Sequence, residues 1–393
     1  MTAELISAGY SVAGIREAIA PVLTRLAAGA AERERTRTYA FDDVRDLAGQ
    51  RIGLLGIAVA DGGAGGSLRE VTELIVALAR ADSNVAQALR PTFLIAERVR
   101  RPDFPHRERM LRRLREGDLF AGSGNERTGG ASGSVHAAIR RDGDGYVVNG
   151  EKFYSTGGLY ATWFSTSATG EDGTVVGFTV PFDREGVHRL DDFDAVGQRL
   201  TASGTTRLVD VRVRPDELTP PDTQPATPWR GSFAQLYLAA VEAGIAAAAL
   251  DDAVRFVRAK ARPIKHSTAT HSVDDPYVRE TVGRIGAHAQ AARSAVLVAA
   301  EVLESARDGD RAVAAEAAVT VAQTGVIAIE AAFRAAELLF DVGGGSATDR
   351  DLGFDRHWRN ARTVANHNPR QWKAAVAGAF HLTGEDPPTT GLF

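Results

Sequence analysis

Gly145-Tyr146-Val147-Val148-Asn149-Gly150-Glu151-Lys152-Phe153-Tyr154-Ser155-Thr156-Gly157-Gly158-Leu159-Tyr160-Ala161-Thr162-Trp163-Phe164 is the stretch whose reading decides the fold. Tyr146 to Val148 is a short β-prone run, and Asn149-Gly150 supplies the two positive-φ residues of a type I′ hairpin turn. Glu151 to Thr156 then reads as the return strand, stopped by Gly157-Gly158. Ser155 and Thr156 close that strand beside the aromatic pair Phe153-Tyr154. Adjacent strand residues face opposite sides, so only one of the two hydroxyls can serve a ligand. A ring and a hydroxyl backed by glycines suit a flat heteroaromatic molecule; an ordinary surface hairpin is the alternative.

Around this stretch lie further β-branched and aromatic runs, Thr162–Thr169, Thr174–Phe182 and Thr205–Val213, separated by Asp-Gly and Gly-Gly turns. They predict an antiparallel unit. Pro215 to Pro228 is proline-rich and reads as a linker. Before the β unit, Ile15, Ile19, Val22, Leu23 and Leu26 recur at helical spacing within Ser11–Arg37. Further helices are expected over Phe41–Gly53 and Leu68–Ala81 and on to Arg115, with Pro91, Pro102 and Pro105 as breaks. Asp61 to Gly66 is glycine-rich but lacks the dinucleotide fingerprint and the Lys-Ser/Thr ending of a phosphate loop, so it reads as a connection. After the linker come the helical patterns Phe233–Ala259, Val278–Arg307, Val313–Phe340 and Arg370–Phe380. Long alanine-rich helices pack closely, and four of them make a bundle.

A chain of 393 residues is too long for one small core. With 44% hydrophobic and 24% charged residues it has the composition of a soluble globular protein. A net charge of −4 gives no general attraction to nucleic acid or an anionic membrane. Absence of cysteine excludes disulfides, thiolate metal sites and a cysteine nucleophile. Met1 to Leu5 lacks the pattern of a secretory signal, and Leu236–Leu250 is short and weak for a bilayer span, so a cytoplasmic location is expected. His266 and His271 are five apart and have no acidic partner in sequence, so no metal site is expected.

The order of helices, β unit and helices, with Gly145–Lys152 opening the β unit, resembles the acyl-CoA dehydrogenase superfamily. Asp191–Gly204, Lys152–Gly157, Arg356–Thr363, His367-Asn368-Pro369 and Trp372-Lys373 narrow the resemblance to its two-component flavin monooxygenases, the dibenzothiophene monooxygenase and sulfur-acquisition branch. The resemblance implies an α+β fold: an N-terminal helical domain over 1–117, a central antiparallel β-barrel domain over 118–228 and a C-terminal four-helix bundle over 229–393. It also implies reduced FMN or FAD supplied by a separate NAD(P)H-dependent flavin reductase. With O2 this forms a flavin C4a-hydroperoxide, which oxygenates a small aromatic or sulfur-containing substrate. A homotetramer or dimer is expected on the same ground.

By position the resemblance assigns Thr156 to flavin N5, with Tyr154 and Ser155 against the ring system and Ser123 and Asn125 at its pyrimidine edge. Gly344, Gly345 and Ser346, with Arg262, would approach the phosphate end, although a helix stop after Phe340 explains the glycines equally well. His367 is the expected proton donor. Related enzymes carry further histidines where this chain has Val364 and Thr92, which puts those two in the substrate pocket. An acyl-CoA dehydrogenase and a catalytically impaired scaffold are the other readings. The former needs a carboxylate base, and no glutamate lies between Gly343 and Phe380.

Overall fold

The computed structural model describes residues 10–127, 135–219, 228–307, 309–389 and 393. Helices come first: α1 (Val12–Thr36), α2 (Phe41–Gly49), α3 (Leu68–Ala81), α4 (Ser83–Val99) and α5 (Arg107–Glu116). The start of α3 is set locally: the Ser67 hydroxyl accepts from the Glu70 N–H, and the Glu70 carboxylate accepts from the Ser67 N–H. Pro91 does not break the chain as expected, because α4 continues through it to Val99. The apolar face of α4, including Leu89, Phe93 and Ile95, is buried, and that packing outweighs the ~3 kcal/mol cost of a proline inside a helix.

The sheet follows, from β1 (Phe120–Gly122), β2 (Ala138–Asp142), β3 (Gly145–Lys152) and β4 (Trp163–Thr169) to β5 (Val175–Pro181), β6 (Val187–Arg189), β7 (Thr206–Val213) and β8 (Leu218–Thr219). Its order is β6-β7-β3-β2-β4-β5-β8, with β1 parallel to β4. Among the described residues these strands form the central β unit expected between the two helical regions, with β6 and β8 at the ends of the strand order.

Asn149-Gly150 is not a hairpin turn. β3 runs straight through it, and the β2–β3 turn falls earlier, at Gly143 (φ 65°). Asn149 and Gly150 instead form a bulge against β7, where the register shifts between Val148 and Gly150. Gly150 has φ 152°, and a Cβ there would lie 2.5 Å from that of Ala137. The Asn149 side chain holds the bulge by bonding the Asp210 carboxylate and backbone N–H. The expected return strand also shortens: beyond Lys152 only isolated bridges remain, Phe153 to Asn125 and Thr156 to Gly122.

The C-terminal part holds α6 (Pro228–Ala259), α7 (Pro276–Ser305), α8 (Arg311–Leu338), α9 (Asp355–Ala365) and α10 (Arg370–Thr383). α6, α7 and α8 pack on one another, α10 lies on α8, and α3 docks on α6. Gly244 permits that docking, since a Cβ would come within 2.8 Å of the Val76 carbonyl oxygen. Gly231–Ala259 and Arg311–Val342 are long and apolar enough to cross a membrane, so the Leu236–Leu250 run belongs to a longer apolar helix than expected. Most of each apolar window is nevertheless buried in the chain's own core.

A buried ion pair fixes the end of β3, where the chain leaves the strand for the cavity. Lys152 Nζ donates to Glu126 at 2.5 Å with both side chains shielded from solvent, and the His136 and Ala137 N–H groups donate to the same carboxylate. Removing one partner leaves the other charge buried alone. Lys152→Met is therefore expected to destabilise the protein by about 3–5 kcal/mol in urea unfolding. Adding Glu126→Gln to that variant should restore a substantial part of the loss.

Candidate active site

The site is a cavity of about 690 Å³ where the sheet meets α4 and the α9–α10 junction. Its floor is set by the segment after β3. Tyr154 has φ 61°, a left-handed conformation for a residue with a side chain, and it turns the chain out of the strand. The N–H groups of Ser155 and Gly157 bond the carbonyls of Gly204 and Thr201, pinning the turned segment. Its ring, half exposed, packs on Phe153 at 4.4 Å and edge-on to Phe193 at 6.2 Å.

The turn sends the two hydroxyls to different places. Thr156 lines the cavity, and its Oγ1 accepts from the Ser203 hydroxyl at 3.2 Å, which in turn contacts the Thr201 hydroxyl at 2.8 Å. Ser155 is fully buried and accepts from the Thr206 hydroxyl at 2.8 Å, so it does not face the ring position assigned to it. Ser123, Asn125, Tyr154, Val364 and His367 do meet in the cavity wall. Ser123 also donates to the Phe153 carbonyl, and the Phe153 N–H bonds the Asn125 carbonyl.

Thr92 is not in the pocket. Its hydroxyl is buried and accepts from the Phe120 N–H at 2.9 Å, tying α4 to β1. Helical phase puts Gln87, Arg90, Pro91 and Leu94 on the cavity side instead. Arg262 and Gly344, Gly345 and Ser346 do not line the cavity either; all four are exposed, after α6 and after α8. Gly343 has a packing role, since a Cβ there would strike the Phe256 ring at 2.1 Å.

A chain of donors and acceptors behind the cavity fixes the state of His367. Lys373 can only donate, so the Gln235 side-chain oxygen faces it at 2.6 Å. The Gln235 amide nitrogen then donates to Asn368 Oδ1 at 3.2 Å. Arg90 can also only donate, and its Nη1 lies 3.3 Å from His367 Nε2. That nitrogen is therefore the acceptor, and Nδ1 carries the hydrogen, donated to Asn368 Oδ1 at 3.0 Å. Burial and the Arg90 charge push the imidazole down to about 4, so it is neutral at pH 7. Burial and Arg90 likewise push Lys373 down to about 8. Beyond Lys373, Glu242 is fully buried with no hydrogen-bond partner on either carboxylate oxygen among the described residues, and burial raises its pKa well above the usual range. In this state His367 presents an acceptor to Arg90 and its hydrogen to Asn368.

Sequence reasoning missed Arg90 and Gln87, which have no local motif, and Gln198, which lies within the recognised Asp191–Gly204 segment but was not singled out. Arg90 Nε and the side-chain oxygens of Gln87 and Gln198 are buried without partners among the described residues. Such unfilled donors and acceptors around aromatic rings suit a flat heterocycle with a polar edge, the shape of a flavin ring system. No aspartate, glutamate or sulfur-bearing side chain lines the cavity among the described residues.

Residues 124–211 match the acyl-CoA dehydrogenase middle domain and residues 236–372 its C-terminal domain. Dibenzothiophene monooxygenase of Mycolicibacterium goodii is 31% identical over 380 residues, covering 91% of this chain and 90% of that protein. The probable FMNH2-dependent monooxygenase SfnC of Pseudomonas putida is 29% identical, covering 85% and 87%. The FMN-bound structure of TdsC from Paenibacillus sp. A11-2 has the same fold, with a TM-score of 0.88 over 96% of this chain and 100% of that one at 24% identity.

The depressed His367 pKa has a signed consequence. Between about pH 6.5 and 4 the unfolded chain takes up a proton that the folded site refuses, so this group lowers stability as pH falls and contributes nothing above that window. Urea midpoints measured from pH 7 down to about pH 4.5 should fall less steeply for His367→Gln than for the wild type.

Proposed function

Because the chain belongs to the acyl-CoA dehydrogenase family, in the branch of the dibenzothiophene monooxygenases, we propose that it is a flavin-dependent monooxygenase acting on a small organic substrate. Reduced FMN is the proposed cofactor, supported by the FMNH2-dependent relative, with a separate flavin reductase as its source and O2 as co-substrate. When bound, reduced flavin supplies the electrons that activate dioxygen.

The observation that carries this reading is the wall itself: serine and threonine hydroxyls including Thr156, the aromatic rings of Tyr154 and Phe193 and the cations Arg90 and Arg98, with no carboxylate among the described residues. A dehydrogenase would need a carboxylate there to take a proton from carbon, and neither Glu330 nor Glu337 lines the cavity. Tyr154 and Phe193 would hold the ring system, with Asn125 and Gln198 at its polar edge. Thr156 already accepts from Ser203, so its own hydrogen is available to a ligand atom; its contact with the Tyr154 carbonyl is long, at 3.4 Å. Leu94, Ile95, Ala121 and Val364 give the cavity an apolar side that excludes water. His367, neutral and acceptor-facing, holds Arg90 in place. Arg262 and Gly344–Ser346 would reach a cofactor's phosphate only from a second copy of the chain, which is the ground for proposing a homo-oligomer.

In anaerobic titrations the protein is expected to bind reduced FMN more tightly than oxidised FMN and to be isolated colourless. Tight retention of oxidised FAD through purification would overturn the two-component reading. Thr156→Val should raise the hydrogen peroxide released per flavin oxidised, through loss of about 1–3 kcal/mol of hydrogen bonding. Ser155→Ala should leave that ratio unchanged and lower stability by about 1 kcal/mol, because its bond to Thr206 is structural.

A further inference from the structure

Buried arginines elsewhere in this chain meet carboxylates: Arg33 pairs with Asp82, Arg184 with Glu217 and Arg356 with Asp252. Arg90 does not. Among the described residues its guanidinium makes two long contacts, 3.3 Å to the neutral His367 ring and 3.5 Å to the Ala234 carbonyl. Its Nε is buried without a partner. Desolvation lowers its pKa only to about 10, so it keeps its charge at pH 7. The cavity it lines has Arg98 as a second cation and no acid among the described residues. A partly buried cation with no carboxylate partner among the described residues is costly unless something supplies the missing charge.

We propose that Arg90 receives an oxyanion of the substrate, so that the cavity takes small organic molecules carrying a carboxylate or a comparable planar or tetrahedral oxyanion group. This rests on the reading of the cavity as an oxygenase site and names the substrate class for it. The proposal explains why the histidine is set as an acceptor. A protonated His367 would point an N–H at the guanidinium, whereas the neutral ring with Nε2 as acceptor braces Arg90 and leaves its remaining N–H groups to the ligand. Lys373, Gln235 and Asn368 maintain that state from behind, each fixed by the donor before it. A charged substrate of this kind differs from the uncharged heteroaromatic in the name of the M. goodii relative. The same guanidinium could meet the other anion available in such a site, the negatively charged polar edge of reduced flavin.

Benzoate and benzamide separate these cases because they share size and shape and differ in charge. Calorimetric titration of the full chain without flavin is expected to show benzoate bound at least tenfold more tightly than benzamide. Arg90→Gln should lose that preference, a drop of about tenfold to a hundredfold for benzoate with benzamide unchanged. Arg90→Lys should retain part of it, and thermal melts of both variants confirm folding. Absence of a benzoate preference in the wild type, including failure to bind either probe, overturns the proposal, as does an Arg90→Gln variant that keeps the preference. Anaerobic titration with reduced FMN is the second arm. If Arg90→Gln weakens reduced FMN binding and spares benzoate, the guanidinium belongs to the flavin and the proposal falls. If the wild type binds benzoate selectively but ignores reduced FMN, the oxygenase reading fails while the anion site stands.

Discussion

The cavity depends on one buried carboxylate. Glu34, near the end of α1, is shielded from solvent and accepts from Asn84 on α4 and from Asn360 on α9, both at 2.8 Å. Each asparagine then uses its oxygen to take a backbone N–H from the loop before β7: Gln198 at 2.6 Å to Asn360, Leu200 at 3.1 Å to Asn84. Gln198 also bonds the Ser83 hydroxyl, and Gly197 lets the loop lie against α9, where a Cβ would meet the Arg359 carbonyl oxygen at 2.0 Å. The N-terminal helices, the β unit and the C-terminal helices are thereby tied at one point. The residues one helical turn onward, Gln87 and Thr363 to Val364, are cavity wall, and Gln198 is cavity wall itself. Geometry at the site follows from that tie more than from anything at the ligand surface.

Much of the fold was legible because it is written locally. Ser67 and Glu70 mark the start of α3 by their own hydrogen bonds, and apolar spacing marks α1. Asn149-Gly150 misled because the dipeptide satisfies two geometries: a type I′ turn and a bulge both use a positive φ. Pairing with β7, more than fifty residues away, chose the bulge. At the site, Thr156, Asn125 and His367 were found through their place in recognisable segments. Thr92 turns to β1 while Arg90 and Pro91 face the cavity, a difference of helix face that the residue's position in sequence does not disclose. The separation of Ser155 from Thr156 was expected on strand alternation, but the backbone turn at Tyr154 causes it. Nothing local distinguishes Arg90, and Gln198 is marked only by its recognised segment; their place in the wall arises when three remote segments meet.

The polar chain behind the cavity runs between two cations, Arg90 and Lys373, and its groups hold together because Asn368 Oδ1 accepts twice. A carboxylate at that node would favour a proton on His367 and turn Nε2 from an acceptor into a second donor, facing Arg90. An amide keeps the chain uncharged in the middle. The cost is a buried cation at Lys373 and a partly buried one at Arg90, the kind of local conflict that a packed core tolerates where a ligand completes it.

The absence of cysteine has a consequence for wear. An enzyme that handles dioxygen at a reduced cofactor releases some hydrogen peroxide beside its own wall, and thiols and thioethers are the side chains such an oxidant attacks first. The chain carries only two methionines, and Met110 lies on the buried face of α5 in one cluster with Leu111, Leu114 and Phe120. No sulfur lies on the cavity surface among the described residues. The lifetime of such a catalyst, counted in turnovers before self-inactivation, is set by slower lesions at tyrosine, tryptophan and histidine.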